Sequence, residues 1–386
     1  MQVQGESVRT QRRSAHAGSK GLRRSALSTG GALVAAVMTV ASGIGAVAAP
    51  APAHAPAPRW TFYPTPTPES GPCVNLPGLD GAEWFEETIA KKVGRIDIDT
   101  GKVEEFPVPY FIGGYGGGEA GATRTIDLNG TPLTTFTCAI MNGDDGLIYF
   151  SNGTPNQIVS IDPYSKKMAI YNAPHELGNV EPFNDITLGT DHAVWSTEST
   201  SNEIGRFDEY THEWTDFKIP TPGALPIGMH MGPDNAVWFT EGANGKIGRL
   251  DLATHEITEY DTESPTSLPF VIRATTENRY IWWGENQGNY IGRMDTLTRK
   301  ITEYKIPNPI ARPGITCEKH NMIYFNEYGA NAIGKLDPRT GKFTELAVPG
   351  RGDVPIELRC GWGNALWFPG TVGSRMIRLS LDGDPL

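Results

Sequence analysis

Beyond its first 55 residues, this chain of 386 has no apolar run long enough to suggest a membrane span. Cations are scarce there too. The leading 55 residues take six of the 33 Lys and Arg and one of the 44 Asp and Glu, which leaves 27 cations against 43 anions and a net charge of −16. A surface that acidic repels nucleic acid and anionic membranes, so neither is expected as a partner. Cysteine is sparse: Cys73, Cys138, Cys317 and Cys360 do not have the spacing of a zinc site. Also missing is a 3.6-residue apolar period. Apolar positions alternate instead, which argues against helical repeats.

What the leading residues do contain is an export pattern. Arg12, Arg13, Lys20, Arg23 and Arg24 precede an apolar, small-residue stretch from Ala32 to Ala49, and Ala53-His54-Ala55 or Ala46-Val47-Ala48 offers a cleavage site. Residues 1–55 therefore read as a signal peptide, and a secreted, extracellular protein is expected. Arg23-Arg24-Ser25 leaves the twin-arginine route open beside the general secretory one.

Residues 56–386 are organised by a repeat. An apolar residue, Trp or Tyr, usually Phe, a Gly/Asn-rich turn and then Ile-Gly-Arg recur along the chain. The anchoring aromatics are Trp84, Tyr149, Trp195, Trp238, Trp282, Tyr324 and Trp367, at gaps of 65, 46, 43, 44, 42 and 43. A period near 43 with alternating apolar residues marks a four-stranded propeller blade. In one unit the strands are expected at Pro226–Met231, Ala236–Glu241, Lys246–Asp251 and Glu256–Tyr260. The last unit lacks an outer strand, and Arg59–Tyr63 is a spare one. The expected fold is all-β: a seven-bladed β-propeller, closed by the N-terminal strand pairing into the last blade, with an insertion loop at 110–135. The Glu three residues after five of the seven anchors (Glu87, Glu198, Glu241, Glu285, Glu327) and the Arg or Lys eleven after them suggest a cross-strand ion-pair brace, which blade two lacks with Asn152 and Ser160, while blade seven has Gly370 but keeps Arg378.

The segments Val237-Trp-Phe-Thr-Glu-Gly-Ala-Asn-Gly-Lys-Ile-Gly-Arg249, Thr258-Glu-Tyr260 and Phe217-Lys-Ile-Pro-Thr-Pro222 resemble the repeats of the virginiamycin B lyase (streptogramin lyase) family, from about Trp60 to Leu381. The resemblance implies a seven-bladed propeller that opens a cyclic depsipeptide by eliminating the ester oxygen. It implies Mg²⁺ to polarise a carbonyl, and a histidine to remove the α-proton. It places histidines after the Pro that opens each of the last two inner strands, and a glutamate after the last Trp-Phe. This sequence has Gly314, Ile356 and Pro369-Gly370 there, so the family's catalytic His and Glu are not preserved. Asp353 stands near the metal-holding acid.

Strand order assigns the remaining histidines to faces. His192, His320, His212 and His255 fall in turns opposite the expected ligand face, leaving His175 and His230. His175, in a loop with Glu176 and Glu181, is a candidate general base or a solvated loop residue. His230, on an inner strand, is a second candidate base or a packed histidine. Glu357 completes the catalytic candidates. Arg273, Arg359, Asp185 and Tyr115 are candidate substrate-binding residues, with the arginines suited to a carboxylate or carbonyl oxygen and Tyr115 to a lid over an apolar ligand. Asp353 is the metal candidate. The cysteines are expected to pair Cys73–Cys138 and Cys317–Cys360, or to remain buried thiols.

Three functions stay open. One is a carbon–oxygen lyase on a cyclic peptide, ester or lactone, aided by Mg²⁺. Another is a non-catalytic binding propeller, and the third a metal-dependent lactone hydrolase. A monomer is expected.

Overall fold

A computed structural model describes residues 60–109, 138–152, 157–174, 183–350 and 353–382. The chain divides into a unit Met1–Ala55, outside the described residues, and a unit Pro56–Leu386. The second unit is all-β, with twenty-seven strands and no helix among the described residues. Six sheets have four antiparallel strands in sequence order, covering 72–107, 140–172, 183–218, 226–261, 269–305 and 313–347. Within each, the strands are named inner, second, third and outer. The seventh sheet has three strands, with the N-terminal Trp60–Pro64 outermost, paired from Trp60↔Leu379 to Pro64↔Arg375. The expected closure is therefore present, and it covers the edge that Arg375–Ser380 would otherwise expose. In blade four the observed strands are Pro226–Met231, Ala236–Glu241, Lys246–Asp251 and Ile257–Asp261. Among the described residues, blade seven has no regular inner strand, and its inner edge is a single bridge, Arg359↔Trp367.

The core lies between blades, because each sheet is too thin to bury a face against itself. One cluster joins Ala236, Trp238 and Ile247 of blade four to Ile272, Ile281 and Trp283 of blade five. The Gly of each Ile-Gly-Arg is demanded by space. A Cβ at Gly248 would lie 2.1 Å from Phe239 Cζ, and one at Gly334 2.2 Å from the Phe325 ring. Gly248→Ala is expected to cost roughly 1–3 kcal/mol through overpacking, read as a lower midpoint in urea with unchanged slope.

The brace differs from the expected one. Cross-strand register sets Arg95 opposite the anchor Trp84 and Glu87 opposite Lys92, so Glu87 and Arg95 are not partners. In blades one, three and four the arginine instead meets an aspartate in the inner-to-second turn. Asp80 accepts from Trp84 Nε1 at 2.8 Å and Arg95 Nε at 2.7 Å. Asp191 does the same for Trp195 and Arg206, at 3.0 and 2.7 Å, and Asp234 for Trp238 and Arg249, both at 2.8 Å. Burial alone would raise the Asp80 and Asp234 carboxyls, but the indole N–H and the guanidinium outweigh it and hold both low. In blade two, Tyr149 replaces Trp and donates to Asp145 at 2.7 Å.

Both expected disulfides are formed. Cys73–Cys138 joins blades one and two, and Cys317–Cys360 joins blades six and seven.

Candidate functional site

Antiparallel order puts the start of every inner strand, the second-to-third turn and the connection from the previous blade on one face. The amide of Gly242 donates to Leu225 O at 3.0 Å across that face. The central channel opens here, and inner strands from several blades send charged side chains into it.

Asp185, from blade three, is the hub. Its Oδ1 accepts from Arg273 Nη2 of blade five at 2.6 Å, and its Oδ2 from the Met229 amide of blade four at 2.8 Å. Glu357 Oε1 accepts from Arg359 Nε at 2.6 Å and lies 4.0 Å from Arg273 Nη2. Arg359 Nη2 reaches Ile140 O of blade two at 3.4 Å. The four side chains of Asp185, Arg273, Glu357 and Arg359 thus form one network, and those of Asp185, Arg273 and Glu357 are more than nine-tenths buried. Burial pushes the Glu357 carboxyl up, the two arginines pull it down, and Asp185 adds to the rise. Glu86, buried nearby, is pushed well up by desolvation and by Glu357.

His230 belongs to the same channel. Burial, then Arg273 and Arg359, push its pKa down to about 3. A base that weak accepts little proton density from a carbon acid at neutral pH. Arg273 and Arg359, proposed from sequence as ligand-binding, already have Asp185 and Glu357 as partners. Asp353 is 1% exposed, and both its oxygens are taken by Arg375, Oδ1 from Nε at 2.9 Å and Oδ2 from Nη2. Among the described residues, magnesium therefore finds no fitting donor set. Among the described residues, no three His, Cys, Asp or Glu side chains are grouped to hold a metal. His175 and Tyr115 lie outside the described residues.

Sequence reasoning missed the mouth itself. Ile227, Phe270, Tyr328 and Ile356 are all partly exposed around it. Tyr328 follows the second-strand Glu327, where blade four has Gly242. A Cβ at Gly314 would lie 2.5 Å from Tyr328 Oη, so the phenol fills the space over Gly314. In blade four the sizes are reversed: a Cβ at Gly242 would meet Ile227 Cδ1 at 2.6 Å. Tyr328 Oη donates to Ile356 O at 2.8 Å, and its ring meets Phe270 edge-on at 5.9 Å between centroids. Burial pushes the phenol pKa up, so it stays a neutral donor. The signal was available as Gly314 set against a large residue at 328. On the same face, a shallow cleft with room for about one water is lined by Glu86, Lys91, Phe150 and Asn152.

The molecule is thus a seven-bladed propeller, with a self-neutralised charged network on its inner strands and partly exposed apolar and aromatic side chains beside it. A family model described as the virginiamycin B lyase family matches residues 127–385, and the chain belongs to that family. Selenomethionine-substituted virginiamycin B lyase from Staphylococcus aureus is 27% identical, with a TM-score of 0.71 over 83% of this chain and 99% of that one. A catalytically inactive variant of the S. aureus lyase, solved with quinupristin, is 26% identical with a TM-score of 0.72, over 83% and 99%. A streptogramin B lyase structure is 25% identical, TM-score 0.70, over 83% and 96%. No curated protein matches the chain.

Proposed function

We propose that this protein is exported and holds a cyclic peptide, ester or lactone against the mouth of its channel, as a binding member of the virginiamycin B lyase family. One observation carries this reading. The Tyr328 phenol covers Gly314 and bonds Ile356 O, the two positions where the family resemblance places histidines. A neutral phenol edge-on to Phe270 offers an aromatic ledge and one hydrogen-bond donor. That equipment suits recognition better than proton abstraction.

A second reading is favoured by 25–27% identity to three lyase structures across 83% of the chain. There the protein is a carbon–oxygen lyase with His175 as base, lifting an α-proton while the ester C–O bond breaks and the carboxylate leaves.

Quinupristin separates the two. It is titrated calorimetrically into the mature protein, and the mixture is followed by chromatography and mass spectrometry with and without Mg²⁺. Saturable binding of unchanged quinupristin is expected, weakened roughly tenfold, or about 1.4 kcal/mol, in Tyr328→Ala. A ring-opened product of unchanged mass, lost in His175→Ala, replaces the binding reading with the lyase. A product heavier by one water indicates hydrolysis.

A further inference from the structure

Four blades repeat a pair of carboxyl groups on the ligand face. Glu105, Glu259, Glu303 and Glu345, on the outer strands of blades one, four, five and six, each tie down the connection arriving from the previous blade. Glu105 accepts from Thr67 N at 2.7 Å and Thr67 Oγ1 at 2.6 Å. Glu259 accepts from Thr221 N at 2.9 Å and Oγ1 at 2.8 Å. Glu303 accepts from Ser264 N at 3.0 Å and Oγ at 2.6 Å, and Glu345 from Asn308 Nδ2 at 2.8 Å. Behind each stands a second-strand glutamate, Glu87, Glu241, Glu285 or Glu327, at most 1% exposed. Glycine on the intervening third strand lets the two carboxyls approach: a Cβ at Gly334 would meet Glu327 Oε1 at 2.6 Å.

We propose that these pairs act as proton-held clasps, which keep the ligand-face connections tight in mild acid and release them as the pH rises past neutrality. One proton per pair lets the buried glutamate donate to the outer carboxylate. Without it, two anions face each other in a poorly solvated seam, and the outer one is pushed off the Thr or Ser it holds.

The groups facing each buried glutamate are few. Glu87 meets Ser70, Glu105 and Lys92, while Glu241 meets Glu259, Lys246 and Asp261. Glu285 meets Ser267, Glu303 and the Trp283 indole, while Glu327 meets Glu345 and Asn308. In all four, burial is the largest influence, and the neighbouring carboxylate adds to it. The pKa rises to about 7 for Glu87 and Glu285, and to about 8 for Glu241 and Glu327. The folded chain therefore keeps protons that the unfolded chain sheds above the ordinary value of 4.5. Stability from the clasps is complete below that value and is lost as the pH climbs through 7 to 8. Across this window each clasp raises the unfolding constant up to about tenfold per pH unit.

The test is calorimetry of the mature protein at pH 5.5, 6.5 and 8.5, in buffers of different ionisation heat. The expected result is a Tm that falls toward pH 8.5, with at least about two protons released on unfolding at pH 6.5. Glu241→Gln/Glu285→Gln, which keeps the shape and removes the titration, is expected to release about two fewer protons and to flatten the Tm profile. Amide exchange at Thr221 and Ser264, corrected for the chemical rate, is expected to quicken at pH 8.5. A Tm that is level or rises toward pH 8.5, or unfolding without proton release, overturns the proposal. Where the double variant does not fold, the wild type still tests the proposal, through a level or rising Tm, an absent proton release, or unquickened exchange at Thr221 and Ser264.

Discussion

Arg273→Met will lower the folding free energy by about 3–5 kcal/mol, read from the urea midpoint, although methionine fills much of the same space. The cost comes from what stays behind. Asp185 is 2% exposed, and its Oδ1 would lose the 2.6 Å contact with Arg273 that balances its charge. Glu357 would lose the more distant of its two arginines. Adding Asp185→Asn removes the stranded charge and keeps an acceptor for the Met229 amide, so the double variant is expected to regain more than about 1 kcal/mol. Equal stability of Arg273→Met and the wild type would mean that the channel network does not tie the blades together.

That network bears on function through its position. Arg273 and Arg359 satisfy the chain's own carboxylates, and His230 is a neutral, weak base beside them. On the binding reading proposed above, recognition would fall to the partly exposed Phe270, Tyr328, Ile227 and Ile356, and rigidity to the charged network.

The repeat was legible because each anchor is a large aromatic with one role: all seven are buried, and their spacing gives the blade count. The spare strand and both cysteine pairings followed from the same periodicity. The Glu–Arg brace did not survive, because periodicity says which residues are equivalent but not which side of a hairpin each faces. Register sets Arg249 against Trp238, within reach of Asp234, while Glu241 faces Lys246 at the other end of the strand. The ion pair of Asp353 with Arg375 left no mark in the sequence because the two are 22 residues apart. Tyr328 was passed over for a related reason. Its meaning depends on the lack of a side chain at Gly314, and compensating sizes show only when the two strands are read against each other.

Removing both disulfides will have the second large effect, because of where they lie in the ring. Cys317–Cys360 ties blade six to blade seven, the N-terminal strand ties blade seven to the start of the chain, and Cys73–Cys138 ties blade one to blade two. These three links are consecutive around the circle. They also flank the one blade whose inner edge is reduced to a single bridge at Arg359, next to Cys360. The loops closed are 65 and 43 residues long, and each bridge is therefore expected to contribute about 4 kcal/mol by restricting the unfolded chain. Cys73→Ala/Cys138→Ala and Cys317→Ala/Cys360→Ala should each lower the denaturation midpoint by that measure, and reducing agent should shift the wild type but not the variant lacking all four cysteines. With both bridges gone, amides in Trp60–Pro64 are expected to exchange before those of blade four, because only strand pairing to Arg375–Leu379 then closes the ring. A variant without cysteines that keeps wild-type stability and protection at Phe62 would place closure in the packing between blades rather than in these covalent ties.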